Sequence, residues 1–600
     1  MKENPIKFGT DGWRAIIAKE FTFDNVRICA RAVAAYLKEA GLAERGLIIG
    51  YDTRFASEDF AAAAAETAAA YGIKTFLSPV SVPTPVVSYG VTAKQAGGAI
   101  MITASHNPAA WNGLKLKSEN GASVTGEVTA KIEGYVDRFF SEGIPDFIPL
   151  PEALHKGLVE YFNLTPVYTK KILELVDLQS IRDSGLKVVV DSMYGAGSGY
   201  LKGLLSGGSA DIYEINNERN PSFPGIQPEP IAQNLHKLSA AVKERQADIG
   251  IATDGDADRL GIIDENGRFL TTLQVFSLLA LYLLDVRGER GLIGKTVHTS
   301  VMLDTLAKLY QVETVETPVG FKNIAPLLLE KNALIGGEES GGYGFRGHVA
   351  ERDGILAALY FLDFMVKTGK TPSQLIDFLY EKTGVYHYNR NDVHFPSVER
   401  EAIIERVQND RSKELGGLSV KSTDTADGYR YHFTDGSWLL IRFSGTEPLL
   451  RIYAESSSPE QVEKLLEAGS TLAGVRGRRT IMNDSNLPKK TEKPWGYELL
   501  FALSPLYAGK VLFVKKGNRL SLQYHKVKDE SLYIQSGKAL LEIADSTGTM
   551  VQTEALPGTS FRLPPNTKHR FTALEDTTFL EVSTPELDDV VRVEDDYGRA

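Results

Sequence analysis

ADIGIATDGDADRLGIIDENG, residues 247–267, sets two strand-length apolar runs on either side of a loop carrying Asp254, Asp256 and Asp258 at alternate positions. An extended loop with that spacing aims three carboxylates at one point, where they repel one another unless a cation sits among them. Hard oxygen donors select magnesium, manganese or calcium over softer metals. Counted from Asp254 as position one, Glu265 falls at position twelve, as in a calcium-binding helix–loop–helix, but Arg259 replaces glycine at position six and both flanks read as strands. The segment therefore reads as a metal loop on an α/β unit.

The same texture extends outward over three quarters of the chain. Leu47–Ile49 precedes GYDTR and an alanine-rich helix capped by Ser57; Val188–Val190 precedes DSMYGAG; Thr296–His298 precedes a helix around Leu303–Leu309. Such alternation predicts stacked α/β units with strands buried on both faces. At roughly 100–200 residues per domain, 600 residues imply several domains. Boundaries are expected near 150, at the proline-interrupted IPDFIPLPEAL, near 265 at DENGR, and near 385, giving units 1–149, 150–265, 266–384 and 385–475. Residues 476–492, within RGRRTIMNDSNLPKKTEK, read as a linker, and 493–600 carries short alternating runs such as VLFVKK, LYIQSG, ALLEIA and TFLEVS, which predict an all-β barrel or jelly roll.

Hydrophobic residues at 43% and charged residues at 24% describe an ordinary globular composition. A net charge of -11, from 66 basic and 77 acidic residues, argues against a nucleic-acid partner. The only cysteine, Cys29, falls on the helical stripe Val26, Cys29, Val33, Leu37, so no intrachain disulfide forms. The N-terminus lacks a signal-peptide layout, and the longest nearly apolar run, Val275–Leu284, falls short of the roughly 18 residues of a membrane span. A cytoplasmic protein with no membrane partner is expected.

Three further motifs carry chemistry. AIMITASHNP places Ser105 just past an apolar strand, where a turn would expose its hydroxyl at the end of a sheet; alone it also fits a plain capping turn. In GGEESGGYGFRGHVAERDGI, Gly336–Ile355, Glu338 and Ser340 alternate as acceptor and donor for two sugar hydroxyls, though alone the stretch also reads as a solvated acidic loop. In RFSGTEP, residues 442–448, Arg442, Ser444 and Thr446 flank Gly445 and offer a guanidinium fork, two hydroxyls and backbone N–H groups to a phosphate; a bare hairpin turn is the alternative.

With FGTDGWRA at Phe8–Ala15 and TPVGF at Thr317–Phe321, these motifs stand in the order found in the α-D-phosphohexomutase superfamily, and residues from about 6 to 475 resemble its bacterial phosphoglucomutase/phosphomannomutase branch. The resemblance implies three related α/β domains and a smaller α+β domain around a cleft. It implies that Ser105 is a phosphoserine with His106 beside it, and that magnesium is held by its phosphoryl oxygen together with Asp254, Asp256 and Asp258. Lys115 becomes a general acid/base candidate, Arg14, Arg259 and Lys322 surround the transferring phosphate and the sugar, and Glu338 and Ser340 grip sugar hydroxyls. Arg442, Ser444, Gly445 and Thr446, with Arg451, bind the second phosphate. The implied reaction interconverts hexose 1- and 6-phosphates through a 1,6-bisphosphate, with a glucose 1,6-bisphosphate-type activator. Gly342 stands where some relatives place histidine, and His348 is expected to enter from the same loop. Glucose and mannose phosphates are the expected substrates, with glucosamine phosphate as the alternative.

GNRLSLQYHKVKDESLYIQSG and GTSFRLPPNTKHRFTA resemble the paired motifs of cupins, whose ligand spacing falls on Gln523, His525, Glu530 and His569. With KPWGYELL and DDVVRVEDDYGR, the stretch Lys493–Arg599 is similar to the cupin of type II mannose-6-phosphate isomerases, departing from them at Lys526, Val527, Lys528, Asp529 and Ser531. This implies zinc or another divalent transition metal, and a bifunctional enzyme that also interconverts mannose 6-phosphate and fructose 6-phosphate. Lys528, Arg570 and Arg592 are the candidates for handling phosphate or proton. The opposing expectation is a non-catalytic metal-binding or oligomerisation module; hexose phosphates and a second copy of the chain are the expected partners.

Overall fold

The computed structural model describes residues 4–9, 11–443, 449–475, 488–503, 507–545, 547–587 and 589–598. The chain divides into two compact units, residues 1–390 with 407–447 and 452–469, and residues 391–406 with 448–451 and 470–600.

The first unit is built on mixed sheets flanked by helices. The first sheet runs in the order Trp13–Ile16, Trp111–Lys117, Gly98–Ile102, Leu47–Tyr51, Thr75–Leu77, Val159–Tyr161. The second runs Phe269–Leu270, Leu260–Asp264, Ile249–Thr253, Lys187–Asp191, Asp211–Ile215, and the third Thr314–Thr317, Ile293–Thr296, Ile335–Gly337, Tyr343–Phe345. The same device recurs in each. A buried strand paired in parallel to the body of the sheet turns back through a short loop into an antiparallel neighbour: Gly98–Ile102 into Trp111–Lys117, Ile249–Thr253 into Leu260–Asp264, and Ile335–Gly337 into Tyr343–Phe345. The three loops are TASHNP with its neighbours, DGDADR, and EESGG. Leu418–Asp424, Tyr429–Phe433 and Trp438–Phe443 form an antiparallel run in the same unit.

Several expectations shift. Ser57 is the first helical residue and Ala56, in the left-handed region at φ 56°, is the cap, because the Ser57 hydroxyl donates to Asp52 instead. The strand expected at Thr296–His298 is Ile293–Thr296, and His298 lies beyond its end. Val159–Tyr161 pairs with Thr75–Leu77, and Phe269–Leu270 pairs with Ile262–Ile263, so the first two sheets run past residues 150 and 265. Lys489–Lys493, placed largely in the linker by its polarity, is an edge strand paired with Gly496–Leu503. Among the described residues no helix is long and apolar enough to cross a membrane.

The apolar run Val275–Leu284 lies mostly in the helix Thr272–Leu281, which opens with a capping box between Thr271 and Gln274 and is buried at every position after Gln274. Phe276, fully buried, packs beneath Gly337, where a Cβ would stand 2.8 Å from its ring.

The second unit carries two antiparallel sheets: Lys489–Lys493, Gly496–Leu503, Ala508–Val514, Thr577–Ser583, Glu530–Ser536, Ser560–Leu563, and Met550–Ala555, Ala539–Ala544, His569–Ala573, Leu522–His525, Val590–Glu594. Trp495, Leu532, Ile534, Leu541, Phe571 and Phe579 belong to its apolar core.

Phe276→Ala should cost about 3–5 kcal/mol, because the removed ring leaves a cavity under the third sheet; a lowered urea midpoint by circular dichroism checks it.

Candidate functional site

The buried strand Gly98–Ile102 delivers Ser105 into a turn at φ 53°, a left-handed conformation that is uncommon for serine. Buried hydrogen bonds hold it there. Ser105 N donates to Thr103 Oγ1 at 2.8 Å, and Thr103 Oγ1 donates to Asp52 Oδ2 at 2.6 Å. The Arg54 side chain is wholly buried: Nη2 donates to the carbonyls of Ser105 and Asn107 at 2.6 Å, and Nη1 to those of Pro108 and Trp111 at 3.0 Å. The expectation of an exposed serine hydroxyl is corrected, since Ser105 is 1% exposed and its Oγ donates to Asp254 Oδ2 at 2.9 Å. His106 Nδ1 lies 3.4 Å from the same Oγ, and burial, followed by the charges of Arg259 and Arg14, pushes that imidazole well below its usual range into the neutral form. Arg14 donates from Nη1 to Asn107 Oδ1 at 2.7 Å.

Asp254, Asp256 and Asp258 are completely buried, and one oxygen from each lies within 4.8 Å of the others. Ala257, at φ 55°, turns the loop, and Gly255 lets it approach the serine turn, because a Cβ there would stand 2.4 Å from Ser105 O. Lys115 reaches in from the first sheet, with Nζ 2.8 Å from both Asp256 Oδ2 and Asp258 Oδ2 and 3.0 Å from Asp11 Oδ2. Burial alone would lower the Lys115 pKa, but Asp11, Asp256 and Asp258 lift it above the lysine range. Asp254 is pushed up by burial and then by Asp258 and Asp256, while Asp256 Oδ1 and Asp258 Oδ1 have no hydrogen-bond partner among the described residues. Arg259 is held by Glu229, Nη1 to Oε1 at 2.9 Å.

The third hairpin brings Glu338 to the same region. Its Oε1 accepts from Gly320 N at 3.0 Å and its Oε2 from Arg352 Nη1 at 3.2 Å. Arg352 also lies 2.6 Å from Asp11 and 2.8 Å from Asp258, so one guanidinium joins all three sheets' loops. It fills the space over Gly342, where a Cβ would stand 2.2 Å from Arg352 Cδ. Ser340 Oγ is buried without a partner among the described residues, and Lys322 is half-buried in the first turn of the helix Phe321–Glu330.

His348 does not enter with this loop. Its Nε2 stands 2.9 Å from Asp353 Oδ2, its ring stacks on Tyr89, and its side chain is wholly buried, so it supports the carboxylate that caps the helix Gly354–Thr368. Arg442 pairs through Nε with Asp427 Oδ1 at 2.9 Å, and Asp427 Oδ2 accepts from Val319 N at 2.7 Å. Ser444, Gly445 and Thr446 lie outside the described residues. Arg451 stands 3.9 Å from Asp392. Asp11, Arg54 and Arg352 were not singled out from the sequence; Asp11 and Arg352 lie inside quoted motifs, but 341 positions separate them.

In the second unit, His525, Glu530 and His569 offer ligand atoms within 4.8 Å of one another. Each ring's Nδ1 faces a backbone oxygen, Asp589 O at 2.9 Å and Thr567 O at 3.0 Å, and each Nε2 faces Glu530, at 3.6 and 3.2 Å respectively. That is the tautomer-fixing arrangement of metal-ligating histidines, and His525 Nε2 is buried without a hydrogen bond among the described residues. Lys528 Nζ lies 2.6 Å from Glu530 Oε2 and 2.6 Å from Glu581 Oε1. Gln523 pairs in register with His569, and its Oε1 accepts from Ser521 Oγ at 2.8 Å.

Four family models match the chain in order: phosphoglucomutase/phosphomannomutase alpha/beta/alpha domains I, II and III over residues 5–141, 166–267 and 273–383, and the C-terminal domain over 397–469. A phosphoglucomutase/phosphomannomutase of Thermococcus kodakarensis is 35% identical over 465 residues, covering 78% of this chain and 98% of that protein. A probable phosphoglucosamine mutase of Methanothermobacter thermautotrophicus is 32% identical, with the same coverage. The crystal structure of a putative phosphomannomutase from Thermus thermophilus superposes with a TM-score of 0.68 at 35% identity, over 78% of this chain and 99% of that one. The family implies a divalent metal, magnesium, at the aspartate cluster, and the site fits it: all donors are hard oxygens, and two oxygens have no other partner among the described residues. With four consecutive domain matches and relatives covered almost end to end, the chain belongs to the phosphoglucomutase/phosphomannomutase family and is a phosphohexomutase, an enzyme of the isomerase class.

Proposed function

We propose that the first unit moves phosphate within hexoses through a phosphoserine at Ser105, interconverting 1- and 6-phosphates of glucose and mannose. The observation that carries this is the convergence on Ser105 Oγ of Asp254 at 2.9 Å and His106 at 3.4 Å, within the network of Arg14, Arg259, Lys115 and Arg352. In the forward half-reaction the phosphoserine O–P bond breaks as a sugar hydroxyl oxygen bonds to the phosphorus, giving a 1,6-bisphosphate; after the sugar turns end for end, its other phosphate returns to Ser105. Magnesium held by Asp254, Asp256, Asp258 and the phosphoryl oxygen would neutralise charge on the transferring group. Lys115, the general acid/base candidate, is held as the ammonium by Asp11, Asp256 and Asp258 and would give its proton to the leaving serine oxygen, regaining one from the attacking hydroxyl. Arg14, Arg259 and Lys322 orient phosphate and sugar, Glu338 and Ser340 bind sugar hydroxyls, and Arg442, Ser444, Gly445, Thr446 and Arg451 hold the idle phosphate. A hexose 1,6-bisphosphate restores any enzyme that loses its phosphoryl group. Relatives named phosphoglucosamine mutases favour a second reading for the sugar, glucosamine phosphate.

We further propose that the second unit is a cupin that binds zinc or a similar divalent metal through His525, Glu530, His569 and Gln523 and isomerises mannose 6-phosphate and fructose 6-phosphate. The cluster of ligand atoms within 4.8 Å supports this. The metal would supply polarisation of the sugar carbonyl. Lys528, Arg570 and Arg592 are the candidates for moving the proton between C1 and C2 and for holding phosphate. The domain divisions 1–149, 150–265, 266–384, 385–475 and 493–600 belong to the same reading, with the first two extended to take in Val159–Tyr161 and Phe269–Leu270 and the last beginning at Lys489.

Ser105→Ala should abolish mutase turnover and incorporation of phosphate from a hexose 1,6-bisphosphate, at a stability cost of about 1 kcal/mol for the lost Asp254 bond; retained turnover overturns the phosphoserine. Assayed on the same purified enzyme, His569→Ala should remove mannose 6-phosphate isomerisation and lower bound transition metal by elemental analysis while sparing the mutase. Wild-type protein with metal bound and no isomerisation would leave a binding module instead.

A further inference from the structure

The protein ties each carboxylate of the aspartate loop down. Asp254 Oδ1 accepts from the backbone N–H groups of Asp258 and Arg259 at 2.9 and 3.1 Å, and its Oδ2 accepts from Ser105 Oγ. Asp258 Oδ2 lies 2.8 Å from both Lys115 Nζ and Arg352 Nη2. Asp256 Oδ2 lies 2.8 Å from Lys115 Nζ and accepts from Thr84 Oγ1 at 2.5 Å. Asp256 and Asp258 thus each keep one oxygen, Oδ1, without a hydrogen-bond partner among the described residues. The backbone is tied as well. The carbonyls of Asp254, Gly255, Asp256 and Ala257 accept, in that order, from the N–H groups of Ala257, Ala196, Thr84 and Gly354 at 3.0, 2.9, 2.9 and 3.1 Å. Three of those four donors come from outside the loop, one from each of three distant parts of the chain.

Thr84 appears twice among these contacts. It is the fully buried first residue of the helix Thr84–Lys94, where a backbone N–H has no partner within the helix and is free to bond elsewhere. Both its N–H and its hydroxyl go to one residue 172 positions away, Asp256, and they hold that residue's carbonyl and Oδ2. We propose that Thr84 is a positioning residue that sets the ion preference of the aspartate cluster, favouring magnesium over calcium. Magnesium takes six oxygens at about 2.1 Å in a strict geometry, whereas calcium takes six to eight at about 2.3–2.6 Å and gains the extra ones from bidentate carboxylates and backbone carbonyls. By engaging the second carboxylate oxygen and the carbonyl of Asp256, Thr84 withholds those additional ligands. Lys115 and Arg352 hold Oδ2 atoms too, but they carry charge that the cluster needs. Thr84 is neutral, so replacing it alters how Asp256 is held without leaving a carboxylate uncompensated. The inference rests on the divalent metal that the family implies at this cluster, and on neither the phosphoserine nor the choice of sugar.

Isothermal titration of the metal-stripped full chain with magnesium chloride and with calcium chloride tests this without reference to turnover. The wild type should bind magnesium more tightly than calcium. Thr84→Val, similar in shape but lacking the hydroxyl, should weaken magnesium binding about tenfold, the scale of a lost partner behind a metal ligand, while calcium binding holds or improves. The ratio of calcium to magnesium Kd then falls about tenfold. Thr84→Ala should repeat the effect, and Thr84→Ser, which keeps the hydroxyl, should retain the wild-type ratio. Thermal unfolding followed by circular dichroism reports packing separately, since a merely structural role would lower Tm and weaken both ions alike. A wild type that prefers calcium, a ratio unchanged in Thr84→Val and Thr84→Ala, or a ratio that falls equally in Thr84→Ser overturns the proposal.

Discussion

Charge taken out of water has to be compensated within a few ångströms, and in the first unit that requirement organises everything around Ser105. Asp11, Asp254, Asp256, Asp258, Glu338 and Glu351 are drawn together with Lys115, Lys117, Arg259 and Arg352 in a region with little access to water. Removing one partner from such a set leaves an uncompensated charge, which is far more costly than the pair is stabilising. The set therefore acts as a unit. Lys115 serves the aspartates from the first sheet, and Arg352 serves Asp11, Asp258 and Glu338 from the third. Two aspartate oxygens without partners among the described residues leave room in this balance for a divalent cation.

The hairpins make that balance attainable. Three sheets of related connectivity each end a buried parallel strand in a short loop and return it antiparallel, so each presents one loop at the equivalent place. Contact between the loops is set by absent side chains as much as by present ones: Gly255 admits the serine turn, and Gly342 admits Arg352. Arg54 does for backbone what Arg352 does for carboxylates. Its fork satisfies four carbonyls of a turn that makes few bonds of its own and holds Ser105 in a conformation the residue rarely adopts unaided.

In the second unit the alternation that builds a core also places its polar cluster. Inward positions of the six-stranded sheet supply both apolar packing and the carboxylates of Glu530 and Glu581, which Lys528 joins, whereas its outward positions mix Tyr533, Leu580 and Val582 with Ser531, Gln535 and Thr578. Polarity inside is tolerated because every charge there has a partner at hydrogen-bond distance.

What the sequence determined by itself was local. Period-two and period-3.6 patterns identified the strands before TASHNP and DGDADR, the buried stripe around Cys29 and the alternating strands after residue 493, because they depend on spacings of a few residues. The spacing of three aspartates identified one cluster for the same reason, while His525, Glu530 and His569 were marked by the resemblance to the paired cupin motifs. Only the tertiary structure decided which distant residues complete them: Asp11 meets Arg352 across 341 positions, and Lys115 meets Asp258 across 143. It also turned His348 away from the sugar loop, since an imidazole between Tyr89 and Tyr168 with Asp353 on Nε2 has its hydrogen bond satisfied where it stands. No local pattern records a contact of that range, because burial and charge pairing are properties of the assembled chain.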